Sequence, residues 1–126
     1  MPTTNTISEE QKLRAKKIHD EAIIIDGLTY MSKPPETADY LHRLIDSGIT
    51  ASNFTIPYAT DTFTQTIYKI SEWYTSLQKF SDIFTLIRTT DDIRNAKATK
   101  KTGIIMGFQE PLPLESNLKL VDVFYN

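Results

Sequence analysis

The chain has no cysteine. Disulfides and thiolate metal sites are therefore ruled out within it, and the absence fits a reducing compartment. It has two histidines, His19 and His42. Neither belongs to a His-x-His or His-Glu-x-x-His pattern, and both fall among charged neighbours on expected helices. The chain by itself thus lacks the ligand set of a typical zinc site. Its four glycines form no Gly-x-Gly-x-x-Gly loop, so a nucleotide-binding α/β domain has nothing here to cradle phosphate. No serine sits in a Gly-x-Ser-x-Gly elbow. No apolar run approaches membrane-spanning length, and Met1 to Glu10 lack the basic start and apolar stretch of a signal peptide. The formal net charge of −2 gives no electrostatic footprint for nucleic acid or an anionic membrane. The expectation is a soluble cytoplasmic protein with neither of those partners.

What is present alternates between helix and strand patterns. After a loose tail over residues 1–7, Ser8-Glu9-Glu10-Gln11 reads as a capping box opening a helix to about Glu21. The apolar face of that helix is thin (Leu13, Ala15, Ile18, Ala22), as expected of a helix lying on a surface. Ile23 to Asp26 reads as a strand, and its isoleucine run, leading on to Gly27, suits a central parallel strand covered by helices on both sides. Pro34-Pro35 breaks the next segment. A helix with Ala38, Leu41, Leu44 and Ile45 on one face then ends at Gly48. Ile49 to Ile56 is rich in β-branched residues and is stopped by Pro57. Thr62-Phe63-Thr64-Gln65 is a second capping box. Phe63, Ile67, Ile70, Tyr74 and Leu77 then follow helical spacing, the strongest amphipathic pattern in the chain. Phe84 to Arg88 reads as a short strand, Thr90 to Lys100 as a helix with acids first and lysines last, and Gly103 to Gln109 as a strand.

This alternation predicts parallel strands of an α/β sheet or barrel. Ile23–Asp26, Ala51–Thr55 and Ile104–Phe108 are expected side by side, with the Thr62–Phe80 helix on their outer face. Phe84–Ile87 is expected at an edge or outside the barrel. A complete eight-stranded barrel takes roughly 250 residues. The 126 residues are therefore expected to form one partial domain. Such a piece exposes a sheet edge and an apolar inner face, and self-association through them is expected.

In parallel α/β folds the chemistry lies past the carboxyl ends of the strands. Two strands lead there. Asp26-Gly27-Leu28-Thr29-Tyr30 ends the first, and Asp26 is a candidate metal ligand or, more naturally, a loop and cap partner. Gln109-Glu110 ends the last. Glu110 is a candidate ligand too, although alternation turns it away from the site if Gln109 faces inward. Tyr58 and Asp61, after Pro57, are candidates for substrate contact, or Asp61 merely prepares the next helix. Trp73, Tyr74 and Phe80 read as packing rather than as a binding stripe.

Taken in order, these segments resemble the membrane (renal-type) dipeptidases, a metallopeptidase family on a TIM barrel. The resemblance covers residues 15 to 126. Ile25-Asp26-Gly27 resembles the family's first-strand Asp-Gly-His-Asn-Asp. Gly48 to Ile56 resembles its second strand and Tyr58 to Thr62 the loop after it. Arg88-Thr89-Thr90-Asp91-Asp92-Ile93-Arg94-Asn95-Ala96-Lys97 is similar to the family's helix before the third strand. Thr102 to Gln109 resembles that strand, which in the family ends in Gly-x-Glu. Gly107-Phe108-Gln109 is closer to a divergent bacterial branch.

The resemblance implies the N-terminal portion of a TIM (β/α)8 barrel. It also implies a zinc-dependent hydrolase of dipeptide amide bonds, with a small peptide as substrate. It places the family's first-strand His and Asp at Leu28 and Tyr30, and its bridging Glu at Gln109. On that alignment this chain is expected to bind no zinc and to be inactive alone. The alternative is a non-catalytic barrel relative that binds a small molecule or peptide.

Overall fold

A computed structural model describes residues 7–125 except 32, 35 and 37, and of residues 38–41 the backbone alone. The expected tail over 1–6, Pro35 of the proline pair, and the side chains of Ala38 and Leu41 lie outside the described residues.

The elements follow in the order α1 (Glu9–Glu21), β1 (Ile25–Thr29), α2 (Ala38–Asp46), β2 (Ala51–Thr55), α3 (Phe63–Lys79), β3 (Phe84–Leu86), α4 (Thr90–Thr99) and β4 (Thr102–Gly107). A 3-10 turn (Leu112–Leu114) and α5 (Leu120–Tyr125) close the chain. All strand pairs are parallel, and the spatial order is β1-β2-β4-β3. The three strands expected to neighbour one another do so. Phe84–Leu86 adds to the far side of β4 as an edge.

Local chemistry explains the helix starts. Ser8 accepts from the Gln11 N–H while the Gln11 side chain accepts from the Ser8 N–H, and Thr62 and Gln65 exchange the same pair of bonds. Thr89 and Asp92 build a third such box at α4, which the sequence reading did not pick out. Each satisfies donors that the first turn of a helix leaves unpaired. Gly48, after α2, has φ +78°, a left-handed conformation that glycine adopts without steric cost. The His19 ring packs where a Cβ at Gly48 would stand, which seats α1 against this turn.

The core forms between the sheet and α3. Phe54, Ile56, Trp73, Phe80, Ile83, Phe84 and Ile104 are its buried members. Strand alternation puts Ser52, Phe54 and Ile56 of the β2 segment on that side, with Ile104 across the ladder from Ser52. Trp73 crosses Phe54 at 5.2 Å between ring centroids, tilted by 55°. Each such fully buried side chain contributes roughly 1.5–3 kcal/mol by leaving water.

Two details depart from the sequence reading. The first strand runs Ile25–Thr29 instead of Ile23–Asp26, so Leu28 and Thr29 are within the ladder. Nor is it a strand covered on both sides, as its isoleucines suggested. It is the edge of the sheet, and Ile25 is 50% exposed. A run of isoleucines does not distinguish an edge from a centre, because the neighbours that cover a strand come from elsewhere in the chain.

Candidate functional site

The strand ends form the candidate site, and a bulge in β1 shapes its first part. Asp26 pairs with Ser52 and Thr29 with Phe54, so Gly27 and Leu28 together oppose the single residue Asn53. Without the extra residue Asp26 and Thr29, three apart, would face opposite sides. With it they face the same side. The Thr29 hydroxyl donates to Asp26 Oδ2 at 2.6 Å and is in close contact with the Ser52 hydroxyl. Asp26 Oδ1 accepts the Leu28 N–H at 3.1 Å. These bonds hold the Asp26 carboxyl below the usual carboxylate range, the Thr29 hydroxyl foremost, then the Leu28 N–H, with the Ser52 hydroxyl adding to them against the opposing effect of burial. The carboxylate is thereby engaged in bracing the end of β1 against β2.

Leu28 and Tyr30 take the opposite side of β1 and are open, at 57% and 64% exposure. The Tyr30 ring meets the Tyr58 ring at 5.9 Å, tilted by 52°. Tyr58 follows the buried Pro57 at the end of the β2 segment. Its backbone N–H donates to Asp61 Oδ2, and the Asp61 N–H returns to the Tyr58 carbonyl at 3.1 Å, closing a tight loop. Lys69, on the second turn of α3, pairs with the same Asp61 oxygen. Its ammonium lies 3.7 Å from the Tyr58 ring centroid. Both charged side chains are largely buried, Lys69 at 13% and Asp61 at 9% exposure.

The structure thus brings Tyr58 and Asp61 together, and adds Tyr30 and Lys69 to them. Thr62, not Asp61, is the N-cap of α3. The sequence reading missed Lys69. The signal was its place eight residues after Asp61, about two helical turns, on a long side chain able to reach back. Ser52 and Asn53 were also missed, although two polar residues inside a strand otherwise built to be buried are a signal of their own.

Gln109 and Glu110 lie elsewhere. They line a cleft of about 450 Å³ with Met106, Phe108, Leu114, Val121 and Phe124, between the end of β4 and α5. Both are exposed. The Phe108 ring meets Phe124 at 4.8 Å and Phe124 meets Phe63 at 5.4 Å, both pairs tilted, which ties α5 to the start of α3. Among the described residues no group of three or more His, Cys, Asp or Glu is placed to hold a metal ion. Also among them, no helix is long and apolar enough to cross a membrane.

Parallel strands alternating with helices, with polar and aromatic groups gathered at the strand ends, define a segment of an α/β fold of the barrel kind. The known structures bear this out. The chain is similar to an amidohydrolase from Pseudomonas aeruginosa, at 31% identity and a TM-score of 0.80 over 87% of this chain and 33% of that one. A second neighbour, the probable dipeptidase PvdM from Pseudomonas aeruginosa, is 12% identical with a TM-score of 0.69, over 89% of this chain and 34% of that one. At that identity the second likeness speaks for the fold alone. The chain spans about one third of the length of each neighbour. The 31% identical amidohydrolase is a neighbour of the kind that the resemblance to the membrane-type dipeptidases implies, and the second neighbour shares the fold. No family model and no curated protein matches the chain.

Proposed function

We propose that this chain forms the first strands of a dipeptidase-like barrel that handles small amide substrates in the cytoplasm, and that it supplies substrate-binding groups without supplying metal ligands. One observation carries the reading. Where the resemblance places a His and an Asp, Leu28 and Tyr30 present an alkyl group and a phenol, both exposed at the end of β1. Leu28 has no donor atom. Gln109, where the resemblance places a bridging carboxylate, offers a neutral amide, a far weaker zinc ligand. Asp26, the one carboxylate at that strand end, is taken up by Thr29 and the Leu28 N–H. The donor set does not fit zinc. Glu110, the other candidate ligand, lies on the cleft beside α5. The chain alone is accordingly inactive toward dipeptides.

The Tyr30–Tyr58 ring contact favours a second reading, a barrel relative that retains the pocket for a small molecule or peptide and performs no hydrolysis. Metal analysis and zinc titration calorimetry of the chain test the first part. No stoichiometric zinc is expected, and zinc that disappears in Asp26→Ala or Glu110→Ala would overturn it. Dipeptide turnover by a longer protein carrying this chain separates the two readings: turnover supports the hydrolase, and saturable binding without turnover supports the binding barrel.

A further inference from the structure

Where the resemblance expects an acidic ligand, the structure places an aromatic ring against a second ring. The second ring is the better fixed. The Tyr58 backbone is tied to Asp61, and the Lys69 ammonium holds the ring while pairing with the same carboxylate. The two charges neutralise each other, so the clamp adds no net charge to the surface in front of it. A ring that already hosts an ammonium is also a poor host for a further cation. Leu28 precedes Tyr30 by two residues on the same side of the strand. Leu28, Tyr30 and Tyr58 are 57%, 64% and 38% exposed at the strand ends, with the two tyrosine rings in contact. In a closed barrel that position faces an enclosed site, which admits a small ligand and excludes a folded protein.

We propose that Leu28, Tyr30 and Tyr58 form a subsite for the uncharged aromatic or aliphatic side chain of a small peptide-like ligand, with Lys69 and Asp61 as positioning residues that hold the Tyr58 ring. The proposal rests on the reading that this chain serves a small-amide barrel, and specifies which side chain that barrel accepts. The tyrosine at position 30 is what makes the subsite. An acid there would bring charge to the Tyr58 ring, and the phenol brings a flat apolar face.

The test is saturation-transfer NMR of the chain with four dipeptides: Gly-Phe, Gly-Leu, Gly-Glu and Gly-Lys. Transfer to the side chains of the first two is expected, with contacts between the Gly-Phe ring and the Tyr30 and Tyr58 ring protons in the unsubstituted chain. Little transfer is expected to the charged pair. Tyr30→Ala is expected to weaken Gly-Phe binding about three- to tenfold, and Tyr30→Phe to retain it. Lys69→Met is expected to weaken binding and to shift the Tyr58 ring resonances while circular dichroism stays native, and Lys69→Arg to restore both. Equal binding of all four dipeptides, or unchanged Gly-Phe binding by folded Tyr30→Ala, overturns the subsite and leaves the small-amide reading standing. Failure of all four to bind overturns the subsite, and the small-amide reading is decided separately by turnover or saturable binding in the longer protein.

Discussion

The amide of Asn53 on β2 occupies the space that a Cβ at Gly107 on β4 would need. By alternation the two residues share the side of the sheet opposite the α3 core. Asn53 Oδ1 is buried there without a hydrogen-bond partner among the described residues. A glycine at the end of β4 is thus what lets a polar side chain lie flat across two parallel strands.

Gly107→Ala is therefore expected to destabilise the fold by about 1–3 kcal/mol, the usual cost of overpacking. Asn53→Ala opens the space, so the double variant is expected to recover most of that loss. Urea denaturation of the four members of the cycle, followed by Trp73 fluorescence, measures the coupling. Additive losses would show that the two side chains do not compete for the same space.

Lys69 and Asp61 should respond unequally to substitution. Lys69→Met leaves a buried carboxylate with the Tyr58 N–H as its remaining partner. Asp61→Asn leaves an ammonium that still has the Tyr58 ring and a long stem able to reach water. Removing one member of a buried pair costs about 3–5 kcal/mol. The lysine substitution is expected to approach that value and the aspartate substitution to fall clearly short of it. Thermal and urea unfolding decide the order, and the reverse order would mean that the ring, not the carboxylate, is the main partner of Lys69.

Acid should weaken the brace at the end of β1. Asp26 titrates below its ordinary value in the folded chain because the Thr29 hydroxyl, the Leu28 N–H and the Ser52 hydroxyl favour the carboxylate. A depressed folded pKa contributes stability that is complete above the unfolded value, near ~3.9, and lost as pH falls below it toward the folded value. Asp92, held down by the Arg88 and Thr89 N–H groups and the Thr89 hydroxyl in the α4 box, contributes with the same sign. Thr29→Val is expected to move the Asp26 titration upward in an NMR carboxyl titration. The stability gap between this variant and the parent chain is expected to shrink as pH drops through the acid range. A gap independent of pH would place the role of Thr29 in packing.

The open edge of β1 predicts association between copies of the chain. One side of β1 has no strand partner among the described residues, and Ile23, Ile25 and Leu28 are exposed along it. Sedimentation velocity of the isolated chain is expected to show association that grows with concentration. Ile25→Lys, a charge on an edge strand, is expected to suppress it. A monomer at all concentrations would mean that the edge is blunted by other means.

Much of the framework was legible because its causes are local. The boxes at Ser8 and Thr62 join residues three apart, and the apolar spacing from Phe63 to Leu77 needs only the 3.6-residue period. The parallel class followed from alternation of helix and strand, which forces crossovers of one hand. The candidate site was legible in part. Tyr58, Asp61 and Asp26 were singled out because they follow strand ends, whereas the role of each depended on partners far along the chain.

Sequence alone determined where α1 and α3 begin, which segments become strands, and that Leu28, Tyr30 and Gln109 are not zinc-ligating residue types. Only the tertiary structure decided that β1 is an edge, that a bulge turns Asp26 and Thr29 to one side, and that Tyr30 meets Tyr58 over the Lys69–Asp61 pair. The physical reason is the range of the forces involved. Caps and helical periodicity act between residues a few positions apart. Register, burial and the pairing of charges depend on which distant segment packs alongside, and no local pattern specifies that neighbour.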